Sequence, residues 1–300
     1  MKIVNPIQID DTTLTSTNVP LDYTEWTAGT YSLGDIRVYN ERVYEVVADS
    51  TSDAPDVGVL LETPTWVELS YSNKWRMFRD GVDSRSSTTG DMEFTVAPGQ
   101  AVTVAAFLEV YARYIHVKAT DPVEGVVFDE TIEIPLGEGY GITDWWEYFF
   151  SPFEDGFNSI LIWFNFSYPD AEFEFTVEPD VATDPVHVGR FVIGVDQELG
   201  CTVYGTNIDL QDFSIKERDS FGNLYLRKRR TIKHVNDNVE VNTSDIDWIA
   251  RKLQKLTSTP MLFIGYKNMQ ALVTFGIYQE MQQDFSNWST STMTLQVEEY

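Results

Sequence analysis

The stretch from Asp91 to Ala119, DMEFTVAPGQAVTVAAFLEVYARYIHVKA, alternates apolar and polar residues on both sides of Pro98-Gly99. Period-two alternation sends successive side chains to opposite faces of a strand, and Pro-Gly marks a turn. The same pattern recurs in GVVFDETIEIP (125–135), FNSILIWFNFS (157–167), AEFEFTVEP (171–179) and HVGRFVIGV (187–195), with turn signals between the runs. Helical periodicity is scarce. The chain is therefore expected to be mainly β, and this central part (76–195) to be an antiparallel, jelly-roll-like sandwich. ITDWWEYFFSPF (142–153) concentrates aromatics, and a sandwich-closing corner is favoured there over a membrane or sugar patch.

Two further zones flank the sandwich. Residues 1–75 hold short strands at IRVYN (36–40), RVYEVVA (42–48) and TWVEL (65–69), with Asn40-Glu41 as a tight hairpin turn. STSDAPDVG (50–58) reads as a loop. Residues 196–300 contain the one clear helix, about 244–257 in TSDIDWIARKLQKLTSTP. Ile246, Ile249, Leu253 and Leu256 fall on one face, Ser244 is the expected N-cap, and Pro260 ends the segment. Strands before and after the helix make this zone a small α+β module.

Charge divides the chain. Residues 1–210 carry 10 Lys and Arg against 36 Asp and Glu, whereas residues 211–300 carry 11 of each. The acidic part should repel nucleic acid and anionic lipid, so neither is expected as a partner. No run of about 18 apolar residues exists to insert in a membrane, and no signal peptide is read at the N-terminus. A single cysteine, Cys201, excludes an intramolecular disulfide framework and fits synthesis in a cytoplasm.

Catalytic signatures are absent. His116, His187 and His234 lack metal-ligand spacing and sit in strand-like contexts. Cys201 is expected to be a buried small hydrophobe. No P-loop, nucleophile elbow, zincin or dinucleotide fingerprint occurs. Asp49, Asp53 and Asp56 could face calcium, but without the EF-hand pattern they read as a solvated loop. No catalytic residue, metal or cofactor is assigned. The dense basic run Arg227, Lys228, Arg229 and Arg230 falls inside an expected strand pair. Arg227 and Arg229 would share one face and Lys228 and Arg230 the other. Docking to an acidic partner is favoured over nucleic acid binding.

Two resemblances follow. Trp26, Tyr31, Gly34-Asp35, Val38-Tyr39, Val43-Tyr44 and Trp66 resemble the short chitin-binding-like modules attached to chitinases. Such modules continue after the second tyrosine into a pair of exposed tryptophans. Here that place reads Glu45-Val46-Val47-Ala48. Trp26, Tyr31, Tyr39, Tyr44 and Trp66 remain carbohydrate-binding candidates, with core packing the rival role. NKWRMFRDGVDSRSSTTGD (73–91) resembles a linker-to-sandwich junction of virion proteins of tailed bacteriophages. Val188-Gly189, Gly194, Leu199-Gly200, Thr202, Tyr204-Gly205, Ser214, Lys216, Asp219 and Phe221-Gly222-Asn223, followed by the basic run, are similar to a later segment of the same group. TPMLFIGYKNMQALVTFGIYQE (259–280) also fits it. The resemblance implies a non-enzymatic tail structural protein, at the tip, baseplate or appendage attachment. It also implies symmetric copies docked to neighbouring tail proteins. The alternatives are an adhesin that binds host surface polysaccharide through residues 20–70, and a polysaccharide depolymerase.

Overall fold

The computed structural model describes residues 1–79, 81, 84–134, 158–218, 223–267, 269–285 and 287–300. The aromatic-rich stretch 142–153 lies outside them. The protein is mainly β, with antiparallel sheets, a curled half-barrel sheet and one clear C-terminal helix. It divides into two compact units, Gln8–Val192 and a second made of Met1–Ile7 with Ile193–Tyr300.

The Gln8–Val192 unit contains a five-stranded sheet in the order Gly125–Glu133, Tyr114–Asp121, Glu172–Glu178, Met92–Val96 and Leu14–Thr17. A second sheet holds Asn158–Trp163, Val104–Tyr111, the first part of Pro185–Glu198, and Ser86–Thr89. Alternation does the sorting: Met92, Phe94 and Val96 are buried, as are Phe173, Phe175 and Val177. Their inward faces meet Phe107 and Phe191. Phe175 and Phe191 lie 4.9 Å apart by ring centroids, and Phe107 and Phe191 5.0 Å. Most of these pairs are edge-on, the arrangement that ring quadrupoles favour.

Within the same unit, residues 21–71 build a small module. Strands Ile36–Tyr39, Arg42–Val46 and Trp66–Tyr71 form a three-stranded sheet, and Tyr31–Ser32 pairs with Ser50–Thr51. The turn at Asn40 and Glu41 has φ of 45° and 71°. Two successive positive φ values define the hairpin turn whose twist matches its strands. Helix α1 (Pro55–Gly58) occupies part of the stretch expected to be a loop. Proline at the first helical position and no room for a side chain at Gly58, against Trp66 and Thr65, explain that short turn. Helix α2 (Asn73–Arg79) follows the module.

The other unit is a sheet in the order Ile193 to Glu198, Lys2–Pro6, Met261–Ile264, Val273–Asp284, Thr290–Glu299 and Thr231–Asn242. Cys201–Thr202 and Asn207–Asp212 both pair with the last of these. Helix α3 (Ile246–Lys255) lays Ile246, Ile249 and Leu253 against Ile3, Val239, Phe263, Met293 and Leu295, with Leu256 packed beside them. Its start differs from expectation. A 3-10 turn, Thr243–Asp245, precedes the helix, and Ser244 Oγ bonds the Asp245 carboxylate rather than a helix N–H. The Cys201 expectation is corrected as well. It is exposed, because it sits on a two-residue strand at the sheet margin.

Candidate functional site

The small module separates the five aromatic candidates into two groups. Tyr31, Tyr44 and Trp66 are buried with Val46 as its core. Trp66 is fully covered and donates its indole N–H to the Asp53 carbonyl oxygen at 3.1 Å. Tyr31 packs edge-on to Trp66 at 5.5 Å and donates its hydroxyl to the Thr27 carbonyl at 2.7 Å. Burial pushes the Tyr44 hydroxyl pKa up. Asp53, read from sequence as a calcium candidate, instead accepts bonds from Thr51 and Thr65 hydroxyls. After Tyr44, Val46 is buried and Val47 is exposed.

Trp26 and Tyr39 behave differently. Both are half-buried and pack on the rim of that core, edge-on to each other at 5.4 Å and 79°. Trp26 is held there by backbone pairing. Its N–H donates to Val38 O at 2.8 Å, and Val38 N–H donates to Thr24 O at 3.0 Å. Together they wall a cleft of about 360 Å³. That volume lies in the range of small-molecule sites, about 300–1,000 Å³. Part of the lining comes from outside the module: Ser72, Lys74 and Trp75 at the start of α2, and Asp11 from the preceding segment. None of these four appeared among the sequence-based candidates. The only signal was the aromatic-basic run YSNKWRMF (71–78) directly after the module.

Two polar groups in residues lining this cleft lack partners. Trp26 Nε1 and Ser72 Oγ are both buried and make no hydrogen bond among the described residues. Ser72 opens α2, and its carbonyl accepts the N–H groups of Trp75 and Arg76. A serine there ordinarily turns its hydroxyl onto the helix N–H groups. Here the hydroxyl bonds none of them. An unpaired buried donor or acceptor costs about 1–3 kcal/mol, which a ligand that pairs with it returns.

Charges around the cleft are mostly acidic. Glu25 is exposed at its rim, and Asp11 lies 3.9 Å from Lys74 Nζ. Glu41 is clamped by Arg79 through two 2.9 Å bonds. This pairing holds the Arg79 pKa above its ordinary value. Lys74 Nζ also sits 5.0 Å from the Trp75 ring centre.

The basic run is arranged differently from the strict alternation expected. Arg227 ends the strand Leu224–Arg227, while Lys228, Arg229 and Arg230 connect it to Thr231–Asn242. A local irregularity causes this. Ser214 Oγ accepts the Arg229 N–H at 3.0 Å, and Phe213 N–H donates to Arg230 O, between two separate registers. All four basic residues are exposed. His116 pairs with Asp129 at 2.8 Å and His234 with Gln211 at 3.2 Å, and burial lowers the His187 pKa. Among the described residues no three His, Cys, Asp or Glu side chains cluster for a metal.

No protein-family model matches the chain. No curated protein matches its sequence either. Among solved structures, it is similar to CBM32-1 from a family 31 glycoside hydrolase of Clostridium perfringens. The identity is 15%, over 59% of this chain and 97% of that one, with a TM-score of 0.26. At that score no residue correspondence is defined.

Proposed function

We propose that the chain binds a neutral saccharide in the cleft between the small module and α2. The observation that supports this reading is the pair of unpartnered buried groups, Trp26 Nε1 and Ser72 Oγ, beside the rings of Trp26, Tyr39 and Trp75. Sugar hydroxyls both donate and accept, so they can satisfy an indole N–H and a serine hydroxyl together. Aromatic walls suit the apolar faces of a pyranose. Asp11, Glu25 and Glu41 disfavour an anionic ligand. This is the adhesin alternative, with a larger site: Asp11, Ser72, Lys74 and Trp75 lie outside residues 20–70.

Ser72→Ala separates this reading from a structural role. Its Oγ bonds none of the described residues, so removing it lifts the cost of an unpaired buried group, and the variant should unfold at a denaturant midpoint no lower than that of wild type. Its affinity for a neutral oligosaccharide should fall about 5- to 10-fold, the loss of one hydrogen bond. Trp26→Ala should weaken binding by about 30-fold or more, as for a central aromatic anchor. Both are read by calorimetric titration of the full chain against a panel of neutral surface polysaccharides and their oligosaccharides. Unchanged affinity in both variants, or no binding by wild type to any of the panel, would overturn the reading.

A setting for this binding is proposed from the sequence. We propose a non-enzymatic structural protein of a bacteriophage tail, at the tip, baseplate or appendage attachment, docked to neighbouring tail proteins in symmetric copies. The residue series at 187–230 and the junction at 73–91 support it. Antibody raised against the chain should label one end of the tail in purified particles. Particles that lack the chain would exclude the setting while leaving saccharide binding intact.

A further inference from the structure

We infer that the chain self-associates head to tail, the basic ribbon of one copy docking on the acidic sheet face of a second. The inference is independent of the saccharide cleft.

The ribbon consists of Asn207–Asp212, paired with the start of Thr231–Asn242, and its continuation as the hairpin Ile215–Arg218 and Leu224–Arg227. Every residue of Asn207–Asp212 and of Leu224–Arg227 is exposed. Leu210 is 64% exposed, Tyr225 63% and Leu226 66%. A lone two-stranded ribbon is marginal in water, and large apolar side chains clustered at a surface mark an interaction site. The register places Leu226 opposite Lys216 and Leu224 opposite Arg218, so one face mixes leucines with cations. Arg227, Lys228, Arg229 and Arg230 add four more positive charges. This is a docking surface for something acidic with apolar relief.

The chain carries such a surface itself. On the five-stranded sheet of the Gln8–Val192 unit, Glu93, Glu172, Glu174, Glu178, Asp129 and Glu133 occupy the outward positions of the alternation. The cations on that face are already committed. Lys118 pairs with Glu174 at 3.0 Å, His116 with Asp129 at 2.8 Å, and Arg113 with Glu133. Glu93 and Glu178 have no ion pair among the described residues. Tyr114, opposite Glu178, supplies an apolar ring on the same face. Basic ribbon and acidic sheet are different patches, so their pairing is heterologous and repeats from copy to copy, closing as a ring or extending as a filament. Complementary charge both steers the encounter and makes it sensitive to salt.

Two charge reversals test this on the full chain by light scattering after size exclusion and by sedimentation. Wild type should shift from monomer to larger species as concentration rises at low salt, and return to monomer in about 0.5 M salt, where the screening length falls to about 4 Å. Arg227→Glu with Arg229→Glu should remove the association, and so should Glu93→Lys with Glu178→Lys. All four side chains are on the surface, so circular dichroism should match wild type in both. Mixing the two monomeric variants should give a 1:1 complex, because each retains the surface the other lacks. A wild type that stays monomeric at low salt and high concentration overturns the inference. So does association that survives either reversal, or a mixture that fails to associate.

Discussion

Trp66→Ala is expected to cost about 3–5 kcal/mol, the range for emptying a fully buried aromatic site. The ring is completely covered, packs edge-on to Tyr31, and its N–H holds the Asp53 carbonyl. Val46 and Tyr44 would lose the surface they pack against, so the cavity lies at the centre of the module rather than at its edge. Gly58 would also lose its neighbour, since the Trp66 ring occupies the space beside that glycine. The loss should appear as a separate early transition in urea unfolding, and as faster amide exchange over residues 36–46. Trp26→Ala, on the rim, should cost far less stability and mainly affect binding. A Trp66 variant with amide protection over 36–46 equal to wild type would contradict this assignment of core and rim.

Asp237→Asn should stabilise the second unit, and only above a definite pH. Asp237 lies within Thr231–Asn242, is 1% exposed, and its Oδ1 has no hydrogen-bond partner among the described residues. Burial pushes its carboxyl up to about 6, with the Met1 amino group pulling the other way. The folded state therefore favours the protonated acid more than the unfolded chain does, whose value is 3.8. Below about pH 3 both states are protonated and the group costs no ionisation energy. As pH rises toward 6 the unfolded chain releases the proton first, and the wild-type fold loses stability. Above 6 the penalty is constant at about 3 kcal/mol, two pKa units at 1.36 kcal/mol each. Asparagine carries no charge, so the difference between variant and wild type should be near zero at about pH 3, grow between pH 4 and 6, and reach that figure by about pH 7. Denaturant midpoints across the pH range measure it. An equal difference at about pH 3 and pH 7 would point to packing instead of ionisation.

Neither site was wholly legible beforehand. Aromatic spacing picked out all five module residues, because aromatics in a short β segment must either fill its core or line its surface. It could not sort them. Tyr39 and Tyr44 lie on adjacent strands of one hairpin, yet the first is half-buried and the second buried. The difference lies in what covers each one. Ser72 and Trp75 went unnoticed because their role arises from the approach of α2 to the module, which leaves no periodic trace. Asp237 resembled any other acid in an alternating strand. Its neighbours across the sheet, including Leu295, make its burial costly.

Local chemistry was enough for what depends on neighbours along the chain. Alternation committed the sequence to strands, Asn40-Glu41 to a hairpin turn, and the spacing of Ile246, Ile249 and Leu253 to a helix with one buried face. Each is a backbone or solvation preference expressed within a few residues. Folding decided the rest. It made Trp66 a core residue and Trp26 a cleft residue, left the Ser72 hydroxyl and the Trp26 indole N–H without a partner among the described residues, and set Cys201 in solvent. Burial and hydrogen-bond satisfaction depend on which distant segments close over a side chain, and only the tertiary arrangement of sheets and helices supplies them.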